Sequence, residues 1–160
     1  MSRYFVEFSY DGTAYHGLQK QPNSITIQEV IENNFEKFIG SEINLVLAGR
    51  TDAGVHAKQM FAHFDTKKNF EKGIFCKRLN TMLPEDICIE SINLVSDDNN
   101  ARFDAVSRTY EYVIYNRKNP FNNKFTYYFK GFLDLEKMNE CSLDLLNHND
   151  FKCFSKSNTN

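Results

Sequence analysis

Ile43-Asn44-Leu45-Val46-Leu47-Ala48, then Gly49-Arg50-Thr51-Asp52-Ala53-Gly54-Val55-His56, then Gln59-Met60-Phe61-Ala62-His63-Phe64-Asp65 is the stretch that decides the fold. Its first part is a short apolar run and reads as a buried strand. Its last part reads as a second strand. The segment between them carries two glycines and no regular period, so the strands form a hairpin or lie as near neighbours with a loop at one end.

Working outward, Thr26 and Glu29 have the spacing of a capping box. Ile27, Val30, Ile31, Phe35, Phe38 and Ile39 then make one apolar helical face, and Gly40 supplies a stop. Residues 4–10 read as a strand that ends at the Asp11-Gly12 turn signal. Downstream, a helix is expected over residues 70–82, with Phe70, Ile74, Phe75, Leu79 and Met82 facing inward and Pro84 just beyond. Residues 87–95 read as a strand and Asp97-Asp98-Asn99-Asn100 as a turn. Residues 109–115 alternate and are rich in aromatic and β-branched side chains, which predicts another strand, with a further one at 127–129. Asp134 can cap a helix running to about residue 147, with Leu135, Met138, Leu145 and Leu146 apolar.

The order strand, helix, strand, strand, helix, strand predicts an α+β fold. It is a ferredoxin-like, split β-α-β antiparallel sheet with helices on one face. The expected organisation is one such domain over residues 1–100, carrying the loop, and the start of a second, similar domain over residues 101–160. Residues 150–160 hold no stop signal and read as a chain cut within a domain, or as a loose tail.

Apolar residues make up 41% of the 160 and charged residues 25%, enough for an ordinary core and against disorder. The 15 Phe and 8 Tyr are expected mostly in that core, with some Tyr available for stacking on bases. The net charge of -2 argues against a nucleic-acid binder, yet its distribution is uneven. Residues 50–80 carry seven bases against three acids, and residues 102–130 six against two, while residues 81–101 carry five acids and no base. Such segregation permits a basic face for RNA, and an ordinary solvated surface is the competing reading. Cys76, Cys88, Cys141 and Cys153 lack zinc-finger spacing. With no signal peptide and no apolar run near the roughly 20 residues of a membrane span, a cytoplasmic protein with reduced thiols is expected.

The loop at residues 49–56 carries the chemistry. Glycines allow tight turns or the close approach of another molecule. Loops held by rigid strands concentrate catalytic groups. A neighbouring guanidinium favours the ionised form of a carboxylate, which then serves as nucleophile or base. The competing reading of Asp52 is an Asx turn or cap, with Arg50 as its structural ion pair.

Gly49-Arg50-Thr51-Asp52-Ala53-Gly54-Val55-His56-Ala57 closely resembles the signature of the tRNA pseudouridine synthase A family. Three further stretches agree, in order. Tyr10-Asp11-Gly12-Thr13-Ala14-Tyr15-His16-Gly17, with Gln19 and Gln21, resembles the N-terminal signature. Asn100-Ala101-Arg102-Phe103-Asp104-Ala105 with Ser107-Arg108-Thr109-Tyr110-Glu111-Tyr112 resembles a second block, and His148-Asn149-Asp150-Phe151 with Phe154 a later one.

The resemblance implies that Asp52 is the catalytic carboxylate and that Tyr110 stacks on the target base. Core packing on its strand is the other reading of Tyr110. It also implies isomerisation of uridine to pseudouridine at positions 38 to 40 of the tRNA anticodon stem-loop. A homodimer would hold the tRNA, and no metal or organic cofactor takes part. Family members continue well past residue 160, into a region that adds an Arg near the catalytic Asp. Arg50 is the candidate to orient Asp52 or to prise the base out. Lys58, Arg78 and Arg102, together with Lys67, Lys68 and Lys77, are candidate phosphate contacts, against the reading that such chains point into water. His56 and His63 are candidate general acids or packed residues. The rival functions are an RNA-binding fragment without catalysis, and a metal-dependent hydrolase using Asp52, His56 and His63.

Overall fold

The computed structural model describes residues 1–154, so the end of the tail at residues 155–160 lies outside the described residues. Two compact units divide the chain, Met1–Arg108 and Thr109–Asn160.

In the first unit, β1 (Ser2–Tyr10), α1 (Ile27–Ile39), β2 (Val46–Leu47), β3 (Ala57–Thr66), α2 (Lys72–Met82) and β4 (Ile87–Val95) follow in that order. The sheet order is β2-β3-β1-β4, and its pairs are antiparallel. This is the ferredoxin-like arrangement expected from the sequence. β1 lies at the centre and alternates as a half-covered strand should, with Tyr4, Val6, Phe8 and Tyr10 buried and their neighbours half-buried. The helices close over that face. Phe35 of α1 meets Phe64 of β3 and Phe75 of α2 edge-on, with ring centroids 5.2 and 5.3 Å apart. Burying each such ring contributes about 1.5–3 kcal/mol.

α1 begins and ends where the sequence places it. The Thr26 hydroxyl accepts from the Glu29 N–H (3.4 Å), and Gly40 closes the helix in the left-handed region at φ 76°. α2 starts later than expected because the Glu71 carboxylate caps it, accepting from the Gly73 and Ile74 N–H groups (3.0 and 2.5 Å). The inward stripe of α2 runs through Phe75, Cys76 and Leu79 to Leu83 beyond its end. Ile74 and Met82, expected inside, are 52% and 42% exposed. Ile74 sits one residue, about 100° of helical turn, off the Phe75–Leu79 stripe.

The strand predicted over residues 43–48 is a second correction. Only Val46 and Leu47 pair, with His63 and Ala62 of β3. The cause lies in α1. The buried Glu32 carboxylate accepts from the Leu45 N–H (2.8 Å), and Glu36 accepts from the Ile43 N–H (3.2 Å). Side chains of the helix thus take backbone donors that a ladder would otherwise use.

In the second unit, β5 (Ile114–Tyr115) and β6 (Tyr127–Tyr128) pair in parallel, and α3 (Leu135–Asp144) is capped by Asp134, which accepts from the Lys137 N–H (3.1 Å). The strand expected over 109–115 reduces to its last two residues, since no ladder extends back to residue 109 among the described residues. The helix expected to reach about residue 147 ends its α-helical part at Asp144 and finishes as a 3₁₀ turn, Leu145–Asn147. Leu135, Met138, Leu145 and Leu146 are exposed in this unit.

Candidate active site

Tyr10, the last residue of β1, pairs with Ala57 at the start of β3 across a register shift. The loop after β1 and the loop before β3 therefore leave the sheet at one end, and bulges commonly re-aim a chain beside such sites. The first of these loops holds the second in place. Tyr10 Oη and Thr51 Oγ1 are 2.8 Å apart, and the Leu18 N–H donates to the Thr51 carbonyl (3.1 Å). The Gly12 N–H donates to His56 Nδ1 (3.1 Å), and that nitrogen lies 2.9 Å from Asp11 Oδ1.

Two glycines make this contact sterically possible. A Cβ on Gly12 would stand 2.1 Å from the Val55 carbonyl oxygen, and one on Gly17 would stand 2.9 Å from that of Thr51. Gly17 also has φ +93°, where side chains are strained. The holding loop is itself anchored. The Tyr15 hydroxyl donates to Asp86 Oδ1 (2.6 Å), and the Asp11 N–H donates to the Asp86 carbonyl (2.8 Å). Burial, and then the bond to Asp86, push the Tyr15 phenol well above its usual range, so it stays a proton donor.

On the held loop, the Val55 N–H donates to the Asp52 carbonyl (3.2 Å) and closes a turn. The side chains of Arg50 and Asp52 are exposed. Among the described residues neither makes a side-chain hydrogen bond or ion pair. The Asx-turn and ion-pair readings are therefore not what the backbone uses. The loop is fixed through main-chain groups, Thr51 and His56, while the carboxylate and the guanidinium two residues before it face solvent.

The other candidates divide. Arg102 is exposed, with its guanidinium 5.7 Å from the Phe103 ring centre. Its carbonyl accepts from Arg108 Nη2 (3.1 Å), and Arg108 also donates from Nε and Nη2 to the Ala48 carbonyl (3.1 and 2.5 Å). The segment carrying Arg102 is thus joined to the start of the loop. Lys58 is exposed at the start of β3. Arg78 belongs to the helix layer, its guanidinium 5.6 Å from the Phe38 ring centre. Lys68 caps α1 by donating to the Ile39 carbonyl (2.5 Å). Tyr110 is 73% exposed in the second unit.

His63 is a packed residue. It is buried, its Nδ1 accepts from the Ala101 N–H (3.1 Å), and burial lowers its pKa. Among the described residues no three His, Cys, Asp or Glu side chains are grouped as a metal ion would require, and the four cysteines are free thiols. No helix among the described residues is long and apolar enough to cross a membrane. Sequence reasoning missed Arg108, Tyr10 and the Tyr15–Asp86 anchor as supports. Tyr10, Tyr15 and Arg108 carried one signal, membership of the other stretches that resemble the family, and Asp86 carried none.

The fold and the site define an α+β domain that presents an unshared carboxylate on a loop pinned by its backbone. A sequence model of the family described as tRNA pseudouridine synthase matches residues 8–104, which include both loops. Relatives described as tRNA pseudouridine synthase A are similar over nearly the whole chain. The one from Bacteroides thetaiotaomicron is 43% identical over 159 residues, covering 99% of this chain and 59% of the relative. Those from Bacteroides fragilis and Geotalea daltonii are each 44% identical, covering 99% and 93% of this chain and 64% and 62% of their own lengths. The chain belongs to the tRNA pseudouridine synthase family, and it spans about three-fifths of the length of these relatives.

Proposed function

We propose that this chain carries the catalytic loop of an enzyme that isomerises uridine to pseudouridine in the anticodon stem-loop of tRNA, at positions 38 to 40. Asp52 is its catalytic carboxylate. The observation that carries the reading is the loop itself, whose backbone is held by the β1–α1 loop while the Asp52 side chain stays unshared among the described residues. A group committed to a reaction must be positioned by others and kept from competing bonds.

The reaction breaks the C1′–N1 bond of uridine and forms C1′–C5. The proton displaced from C5 is balanced by one gained at N1, so no redox equivalent is consumed. A carboxylate beside the ribose and the base meets the need for a nucleophile or base. The target uridine must leave its stack at a cost of a few kcal/mol. Stacking on an aromatic side chain returns about 1–3 kcal/mol, and Tyr110 is assigned that role. Arg50 and Arg102, both exposed and joined to the loop by chain or by Arg108, are assigned to the RNA backbone, with Lys58 and Arg78 as further contacts. The second unit, Thr109–Asn160, is read as the start of a second domain. The working protein is read as a cytoplasmic homodimer that recognises its RNA by shape and backbone.

The test is pseudouridine formation on unmodified tRNA transcripts, mapped by position, for this chain and for Asp52→Asn. Conversion in the anticodon stem-loop that disappears in the variant supports the reading. Conversion that survives in Asp52→Asn overturns the role of Asp52. tRNA binding without conversion by the chain favours an RNA-binding fragment. Binding that is unchanged between low and moderate salt counts against a basic face.

A further inference from the structure

We infer that Arg108 is a positioning residue for the Asp52 loop, bracing its first residues from the segment at 100–108. The inference rests on the catalytic reading of that loop.

Ala48 is the last residue before Gly49, and its peptide is clamped on both sides. Its N–H donates to the Phe61 carbonyl of β3 (2.8 Å). Its carbonyl accepts two N–H groups from the Arg108 guanidinium. Charge-assisted, forked bonds of this kind are strong and fix geometry in a way a lysine ammonium does not. The guanidinium also lies against the loop's first residue, since a Cβ on Gly49 would be 3.4 Å from Arg108 Nε and 3.7 Å from its Cδ.

The segment that delivers Arg108 is itself held. Ala101 is buried and its N–H donates to His63 Nδ1 on β3. The low pKa of the buried His63 keeps a lone pair at that nitrogen. Between the two anchors the chain is folded tightly. Asn100 Oδ1 accepts from the Arg102 and Phe103 N–H groups (3.0 and 3.3 Å), and Asp104 Oδ2 accepts from the Asn100 N–H (2.7 Å). The same guanidinium that holds Ala48 accounts for the Arg102 carbonyl as well. The bonds from the β1–α1 loop reach Thr51 and His56, whereas those of Arg108 reach the residue before Gly49. Asp52 is thereby set from both sides. Arg108 donates from Nε and Nη2 to the protein's own carbonyls, and this bracing of the loop is the role inferred for it.

The experiment compares Arg108→Lys and Arg108→Ala with the parent chain in two measurements. Amide exchange reads the loop directly. In Arg108→Lys the Val55 N–H, which closes the Asp52 turn, exchanges about tenfold faster, while the Ile31 and Phe64 amides of the core stay within about twofold. Steady-state pseudouridine formation on a tRNA transcript reads the consequence. There kcat falls about ten- to a hundredfold, as expected for a displacement of up to about 1 Å, and KM for tRNA moves less than about twofold. Arg102→Ala, by contrast, raises KM. A phosphate role for Arg108 would raise KM, hold kcat and reduce the salt slope by about one, and that pattern overturns the inference. Parental exchange and parental kcat in Arg108→Lys also overturn it. Absence of conversion by the parent chain counts against activity of the chain itself, and the exchange result then decides the role of Arg108 alone.

Discussion

Replacing Gly12 by Ala tests whether the β1–α1 loop sets the Asp52 loop. The added Cβ would meet the Val55 carbonyl oxygen at 2.1 Å, where real contacts do not fall below 3.0 Å. The obstacle is backbone, so no flexible side chain can swing aside. The two loops must separate by about 0.9 Å, and that movement is transmitted to the Gly12–His56 bond and to the turn closed by Val55 and Asp52. Overpacking of this kind costs about 1–3 kcal/mol of stability. A displacement near 1 Å at a reacting group costs about a hundredfold in rate, or about 2.7 kcal/mol at about 1.4 kcal/mol per tenfold. Denaturant unfolding measures the first quantity and single-turnover pseudouridine formation the second, with Val55 amide exchange reporting the loop. The reasoning is refuted by a Gly12→Ala chain whose conversion rate and Val55 exchange both lie within twofold of the parent.

Other perturbations test the supports separately. Thr26→Ala removes the hydroxyl that caps α1 and is expected to lower stability by about 1 kcal/mol in urea titrations, without a change in the urea m-value. Glu32→Ala leaves the Leu45 N–H without its carboxylate inside the fold, an expected loss of about 2–3 kcal/mol, with faster exchange at Leu45 before that at Phe64. Stability is also expected to fall with acid in two windows. Burial holds His63 below its ordinary value, so its contribution is complete above about pH 6.5 and is lost as pH falls through the lower folded value. Asp65 is held low by its bond to Arg3, so its contribution is complete above about pH 3.9 and is lost in stronger acid. His63→Asn should flatten the decline between pH 7 and 5; an unchanged slope assigns it to other groups.

The extent of α1 was legible because its signals are local. Thr26, the apolar spacing and Gly40 each act within a turn or two of the residues they control. The same holds for β1 and β4, whose alternation or apolar content matches their final burial. The shortening of the strand at 43–48 was not legible, because the Ile43 and Leu45 N–H groups are taken by Glu36 and Glu32, residues that reach it only after α1 packs. The inner face of α2 also depended on contact. Ile74 and Phe75 are equally apolar neighbours, and packing against Phe35 and Phe38 selects Phe75.

By itself, the sequence determined the order of the first unit's strands and helices and the stretch that carries Asp52. Periodicity, capping and turn residues are short-range physics, and a run of Gly, Arg, Thr and Asp between two strands is visible as composition. Only the tertiary structure decided what holds that loop. Tyr10, Gly12 and Leu18 approach it from about thirty to forty-five positions upstream, and Arg108 from sixty positions downstream. Hydrogen bonds act over about 3 Å whatever the separation along the chain. Which distant donors come within that reach is therefore fixed by the packing of the sheet and by the loops that leave its one end.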